Sequence, residues 1–303
     1  MTAPLLHSVR STKHFEAMVD FLVHIHLFYA EMWQELKEHL TCLNSHSSEI
    51  WITVPNGSMI QESHILQDFP EAHILHVDNR GYDIAPFVEV LKHVDLSQFR
   101  FCIKLHTKRD MPTPAHVGWV DVSGSKWRHL LLSFLKKDNL ALTLQAFDHN
   151  EKLGMVGHHA LICSKEPEDY RAWAQSRQWI QMHSPSPAPH TPNFIAGSMF
   201  ICRAPLMAKY RDILADTEFE VPSREHPSTI SHAAERLLGH IITAAGYTIR
   251  DAYTPTSAKL FFRLKTAIRY PLYLLLRFCY QKKRTRKGYT IIKICKIPVY
   301  RSR

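Results

Sequence analysis

The chain has 303 residues, of which 45% are hydrophobic and 21% charged, with a formal net charge of +9. That balance is ordinary for a soluble globular protein, and the length suits one large α/β domain or two small ones. No uninterrupted apolar stretch reaches the ~18–20 residues of a membrane-spanning helix, which excludes an integral helical channel or transporter. From Ala252 to the end there are 14 Lys and Arg and no acid, leaving 23 basic against 28 acidic residues before it. The high isoelectric point therefore belongs to one end of the chain, not to a uniformly basic nucleic-acid-binding globule.

The opening MTAPLLHSVRSTKH lacks an apolar run before a small-residue cleavage site, so no secretory signal is expected. Cys42, Cys102, Cys163, Cys202, Cys279 and Cys295 stand singly, as reduced thiols of a cytoplasmic protein would. Phe21–Phe28 reads as a strand and Ala30–Leu43 as a helix with Met32, Leu36, Leu40 and Leu43 on one stripe. EIWITVPNG is a second strand closed by a turn, and HILHVDNRG a third that ends in a loop. APFVEVLKHV starts a helix at Pro86, and RFCIKLH is a fourth strand. This alternation predicts a doubly wound, mostly parallel sheet, with ligands at the carboxyl ends of its strands.

Ser125–Phe147 reads as one Leu-rich helix, Lys152–His159 as a short strand, and Ser184–Pro192 as a proline-rich loop. Asn193–Arg203 reads as a strand pair around Gly197. A loop with Glu225, Pro227 and Ser228 leads into a helix running from about Ser228 to Gly246. The final segment interleaves Phe, Leu and Tyr with Arg and Lys before KKRTRK. Membrane-surface association fits it best, with a nucleic-acid arm or an ordinary soluble terminus as the alternatives.

Three stretches carry candidate chemistry. In VDNRGYDIAPF, Asn79, Gly81 and Asp83 follow a strand; they either bind a ligand or form a turn with Asp83 near the helix N-cap. In FCIKLHTKRD, strand alternation sets Lys104, His106 and Lys108 on one face, with Thr107 between them. This is either an anion site fit for a diphosphate or a solvated edge strand. His232, Glu235 and Arg236 share one helical turn, where Glu235 is either a general base or an ordinary ion-pair partner. His24 with His26, and His158 with His159, show no metal-site spacing, so no metal ligands are expected. No GxSxG, P-loop or GxGxxG is present.

In order, HIHLFYAEMWQEL, DNRGYDIAPF, KLHTKRD, FIAGSMFICR and HAAERLLG resemble the rhamnan synthesis protein F family, over about Phe21 to Tyr253. The resemblance implies a GT-A-like, Rossmann-like sheet flanked by helices at residues 1–254, followed by a basic helical membrane-associating tail at 255–303. It implies a glycosyltransferase, with rhamnose from dTDP-rhamnose as the donor sugar and a lipid-linked cell-surface glycan such as O-antigen as acceptor. The alternative is a non-catalytic GT-A-like scaffold that binds glycan. The nucleotide-sugar donor would meet Asn79, Gly81, Asp83, Lys104, His106, Thr107 and Lys108. Tyr82 stands where the family usually has arginine. Gly197, Ser198, Met199 and Arg236 would line the acceptor side, and Glu235 would be the catalytic base. Basic groups would replace the usual Asp-x-Asp metal ligands, which leaves a requirement for Mg²⁺ or Mn²⁺ open. The implied location is the cytoplasmic face of an inner membrane, with the tail on anionic lipid and no nucleic acid bound.

Overall fold

Seven strands build the central sheet: β1 (Val19–His26), β2 (Ser48–Pro55), β3 (His73–Val77), β4 (Phe99–His106), β5 (Leu153–Val156), β6 (Phe200–Arg203) and β7 (Thr248–Arg250). A computed structural model gives the structure, describing residues 18–117, 120–163, 170–187, 193–222, 229–284, 290–295 and 297–302. The order across the sheet is β3-β2-β1-β4-β6-β5-β7. β1 lies parallel to β2 and β4, β2 to β3, and β5 to β7, while β6 runs antiparallel to both β4 and β5. Six strands therefore point one way and share a carboxyl edge. This is the expected mostly parallel sheet flanked by helices.

Burial on both faces explains the near-continuous apolar strands. Phe21, Leu22, Val23 and Ile25 of β1 and Phe101, Ile103 and Leu105 of β4 are all within 2% of full burial. Each such side chain contributes roughly 1.5–3 kcal/mol of transfer free energy. β4 lies between β1 and β6, so the solvated-edge reading of its polar face is ruled out. His24 stands beside Lys104 and His26 beside His106 in register, which gathers four nitrogen-bearing side chains on one sheet face.

The helices are α1 (Trp33–Leu40), α2 (Glu62–Asp68), α3 (Ile84–His93), α4 (Lys126–Leu131), α5 (Lys137–His149), α6 (Tyr170–His183), α7 (Met207–Leu214), α8 (Ile230–Ala244) and α9 (Thr256–Cys279). The single helix expected over Ser125–Phe147 is broken at Lys136, where ψ is 135°. Ser133 causes the break: its hydroxyl bonds the Leu130 carbonyl and the Tyr253 hydroxyl, and its carbonyl takes the Asn139 amide and the Lys136 N–H. The Lys152–His159 strand stops at Val156, and His159–Leu161 forms a 3-10 turn.

α8 begins where Thr229 accepts the His232 N–H at its N-cap and ends at Gly246, φ 81°. It buries Ala233, Ala234, Leu237, Leu238, Ile241 and Ile242, and leaves His232, Glu235 and Arg236 half-buried. A Cβ on Gly239 would stand 1.7 Å from the Asn193 carbonyl oxygen, so only glycine lets the helix approach the backbone at Asn193 and Phe194.

The C-terminal segment corrects the all-helical expectation. α9 is followed by three antiparallel strands, Tyr280–Arg284, Thr290–Ile294 and Ile297–Ser302. Ile291, Ile292, Ile294, Ile297 and Val299 supply the β-branched density that a pleated ribbon favours over a helix. α9 exposes Leu260, Phe261, Leu264, Ile268, Leu275 and Phe278. No helix among the described residues is long and apolar enough to cross a membrane. Residues 188–192 of the proline-rich loop, the loop at Glu225, Pro227 and Ser228, and residues 285–289 of the basic run lie outside the described residues.

Candidate functional site

The carboxyl edge brings most of the expected residues together. Asp83 does stand at the N-cap position of α3, but its carboxylate makes no cap hydrogen bond. It reaches across the sheet face instead, taking hydrogen bonds from the Lys104 ammonium and the Ser198 hydroxyl. His106 Nδ1 lies 3.4 Å from the same oxygen. Lys104 is fully buried and also donates to the Ser198 carbonyl, 3.2 Å, and hydroxyl, 3.1 Å. Burial alone would raise the Asp83 carboxyl, but His106 and Lys104 beside it hold it far below the ordinary range. A buried charge with these partners is satisfied; removing one partner would leave the other stranded.

The histidines around it are neutral. Burial pushes His106 down to about 3, with Asp83 opposing and Lys104 reinforcing the shift. Burial likewise takes His26 to about 4, and His24 well below its usual value. His24 Nε2 and His26 Nδ1 share the Thr53 hydroxyl at 2.9 and 3.0 Å. Thr107 serves the backbone, its hydroxyl accepting the N–H groups of Phe28 and Tyr29 at 3.0 Å each.

The second half of the site is the Gly197 turn. Gly197 has φ 94° and Ser198 φ 49°; Gly81 and Tyr82, facing them across Asp83, have φ 63° and 54°. Left-handed backbone at a non-glycine residue persists only when its surroundings over-determine it. The Lys104 and Asp83 bonds to Ser198 do so here. The Gly197 N–H, thus fixed, donates to Glu235 Oε1 at 2.7 Å. Glu235 Oε2 has no hydrogen bond among the described residues.

Lys108 is placed differently from Lys104. Its ammonium stacks 3.6 Å over the Trp127 ring and has no hydrogen-bond or ion-pair partner among the described residues. Burial lowers its pKa, against the pull of Asp83 and Glu235. Trp127 Nε1–H is itself buried and unpartnered. A Cβ on Gly197 would come within 3.0 Å of that nitrogen. The sequence reading put Trp127 in an anonymous Leu-rich helix; a tryptophan just past a glycine-bearing turn is the only signal that could have raised it.

Other expected residues lie aside. Met199 is 1% exposed, within the hydrophobic core. Asn79 is exposed on the loop after β3. Arg236 donates to the His232 carbonyl and stacks on Phe194, with its Nε buried and unpartnered. A divalent cation does not fit the β4 exit. Lys104, His106 and Lys108 offer no carboxylate there; of the two carboxylates in the cluster, Asp83 is already neutralised by Lys104 and Glu235 accepts the Gly197 N–H.

The rhamnan synthesis protein F family model matches residues 5–247, and the chain belongs to that family. Two Xanthomonas campestris pv. campestris proteins, each described as uncharacterized protein WxcX, from strains B100 and ATCC 33913, are 27% identical over 184 residues. The match takes in 59% of this chain but 25% of each relative, so the chain spans about a quarter of their length. Among solved structures, glucosyl-3-phosphoglycerate synthase from Mycobacterium tuberculosis, in complex with Mn²⁺, UDP and phosphoglyceric acid, gives a TM-score of 0.35 at 10% identity. That alignment covers 93% of this chain and 89% of the enzyme. A mycobacterial protein gives 0.33 at 10% identity, over 94% of this chain and 85% of the other.

Proposed function

We propose that the chain is a glycosyltransferase of polysaccharide synthesis, moving rhamnose from dTDP-rhamnose onto a lipid-linked glycan. The observation that carries the reading is the union, at one carboxyl edge, of a fixed carboxylate and an unpaired ammonium: Glu235 held by Gly197 N–H, and Lys108 held over Trp127. Membership of a family described by rhamnan synthesis supports rhamnose as the sugar.

In this mechanism the acceptor hydroxyl attacks the anomeric carbon as the bond to the diphosphate oxygen breaks. The hydroxyl proton passes to Glu235, and the departing diphosphate takes its countercharge from Lys108. Lys104 and Asp83 do not touch the reacting atoms; they hold the Ser198–Gly197 turn that aims Glu235. Gly81 and His106 would line the donor side and Gly197 the acceptor side, with Asn79 and Arg236 aside from both. α9, with its apolar residues exposed and a basic segment around it, would rest on the anionic cytoplasmic face of the inner membrane, where such an acceptor is anchored.

A non-catalytic glycan-binding role is favoured by one observation: two cations and two carboxylates in the cluster leave little net charge for a diphosphate. A thermal-shift panel of nucleotide sugars followed by a transfer assay separates the two readings. The enzyme shows a donor-specific shift and turnover; a scaffold shows a glycan-dependent shift and no transfer.

A further inference from the structure

At the other end of the same sheet edge, β5 and β7 run out side by side, with Arg250 paired to Val156. Their exits place His158 and His159 against Asp251, which is distant in sequence. One potential ligand atom from each residue lies within 4.8 Å of the other two. We propose that His158, His159 and Asp251 form a binding site for a divalent transition metal such as Zn²⁺ or Mn²⁺, outside the proposed transfer centre.

Three observations carry this. First, His159 Nδ1 stands 3.0 Å from Asp251 Oδ2. Two neighbouring ligands of one ion, each bonded at 2.0–2.2 Å, stand about 3–3.5 Å apart. Second, His159 Nε2 is buried with no hydrogen-bond partner, so the ring has unmet bonding capacity. Third, His158 lines a cavity of about 720 Å³ that gives an ion a way in, with Ser133, Asn139 and Tyr253 also on its wall.

The remaining groups are compatible. Asp251 Oδ1 accepts the backbone N–H groups of Tyr253 and Thr254 at 3.0 and 2.8 Å. Lys259 Nζ lies 3.6 Å from that same Oδ1, so the cation already present is on the oxygen away from the imidazole. The His159 backbone N–H also donates to Oδ2, which keeps one lone-pair direction for the ion. Whichever nitrogen of His159 takes the metal, the other holds the ring proton, so no proton has to leave. A nitrogen-rich set of two imidazoles and a carboxylate selects a transition metal over Mg²⁺ or Ca²⁺.

The test is a titration of the full chain, stripped with chelator, with Co²⁺ followed by visible absorption and with Zn²⁺ and Mn²⁺ by calorimetry. The expected result is one tight site, lost or weakened at least tenfold in His158→Ala, His159→Ala and Asp251→Asn. Asparagine keeps the acceptor for Tyr253 and Thr254, and a melting curve checks that each variant is folded. If any substitution unfolds the chain, His158→Ala at the cavity wall decides. No binding of any of the three ions at millimolar concentration would overturn the proposal. So would binding unchanged by these substitutions, which would place the ion on others of the 21 histidines.

Discussion

The carboxyl edge carries two polar clusters built on opposite economies. Around β4 and β6, the buried Lys104 and Ser198 and the half-buried Asp83 satisfy one another, so they would serve to hold backbone in a left-handed turn. Around β5 and β7, His159 keeps a buried ring nitrogen without a partner and His158 lines a cavity, with the carboxylate braced by backbone N–H groups. A saturated cluster sets geometry, whereas an unsaturated one binds. By that criterion the proposed transfer would fall to Lys108, Trp127 and Glu235, with Lys104 as the frame that holds them.

The largest effect that distinguishes frame from reagent is at Glu235. Glu235→Gln keeps the acceptor for Gly197 N–H, so KM for the donor should stay within about twofold while kcat falls roughly 10²–10⁴-fold. Next, Lys104→Met leaves Asp83 buried without its cation and should cost about 3–5 kcal/mol in urea unfolding. If Lys104 were a solvent-facing donor contact, stability would hold and only donor KM would rise.

The third prediction concerns pH. His26, His106 and His158 have folded pKa values of about 4, 3 and 4, below the unfolded value of about 6.5, so the unfolded chain binds more protons between these limits. Stability is therefore greatest above pH 6.5 and declines as pH falls toward 4, on the order of 2–3 kcal/mol per buried histidine. Asp83 and Asp251, whose pKa values are depressed, add a second loss only below about pH 4. Chemical denaturation at pH 7.5 and 5 checks the histidine window; equal stability at both would contradict it. Smallest is Gly197→Ala. With φ at 94° and Leu131 and Trp127 at the Cβ position, it should cost about 1–3 kcal/mol and lower kcat by displacing Glu235.

Legibility followed the same division. The strand and helix alternation from β1 to β4 could be read because apolar runs of strand length are bounded by Pro-Asn-Gly and Asn-Arg-Gly turns. The first cluster was legible as local motifs because DNRGYD, KLHTK and AGSM each sit at one strand end. The partner of each side chain was not. Lys104 seemed to be offered outward because nothing in KLHTK shows that Asp83 folds back onto it. The second cluster was invisible for a related reason: His159 and Asp251 meet only through the pairing of β5 with β7. The C-terminal ribbon was missed because Arg and Lys among Phe and Leu read as an amphipathic helix, although the β-branched Ile291–Val299 stretch carried the strand signal.

The central claim is that Glu235, aimed by Gly197, deprotonates the acceptor. Its most direct test is single-turnover transfer of labelled rhamnose from dTDP-rhamnose by Glu235→Gln, with donor binding measured on the same preparation. The account predicts wild-type donor affinity and a transfer rate lower by at least a hundredfold. Wild-type transfer by that variant would contradict it.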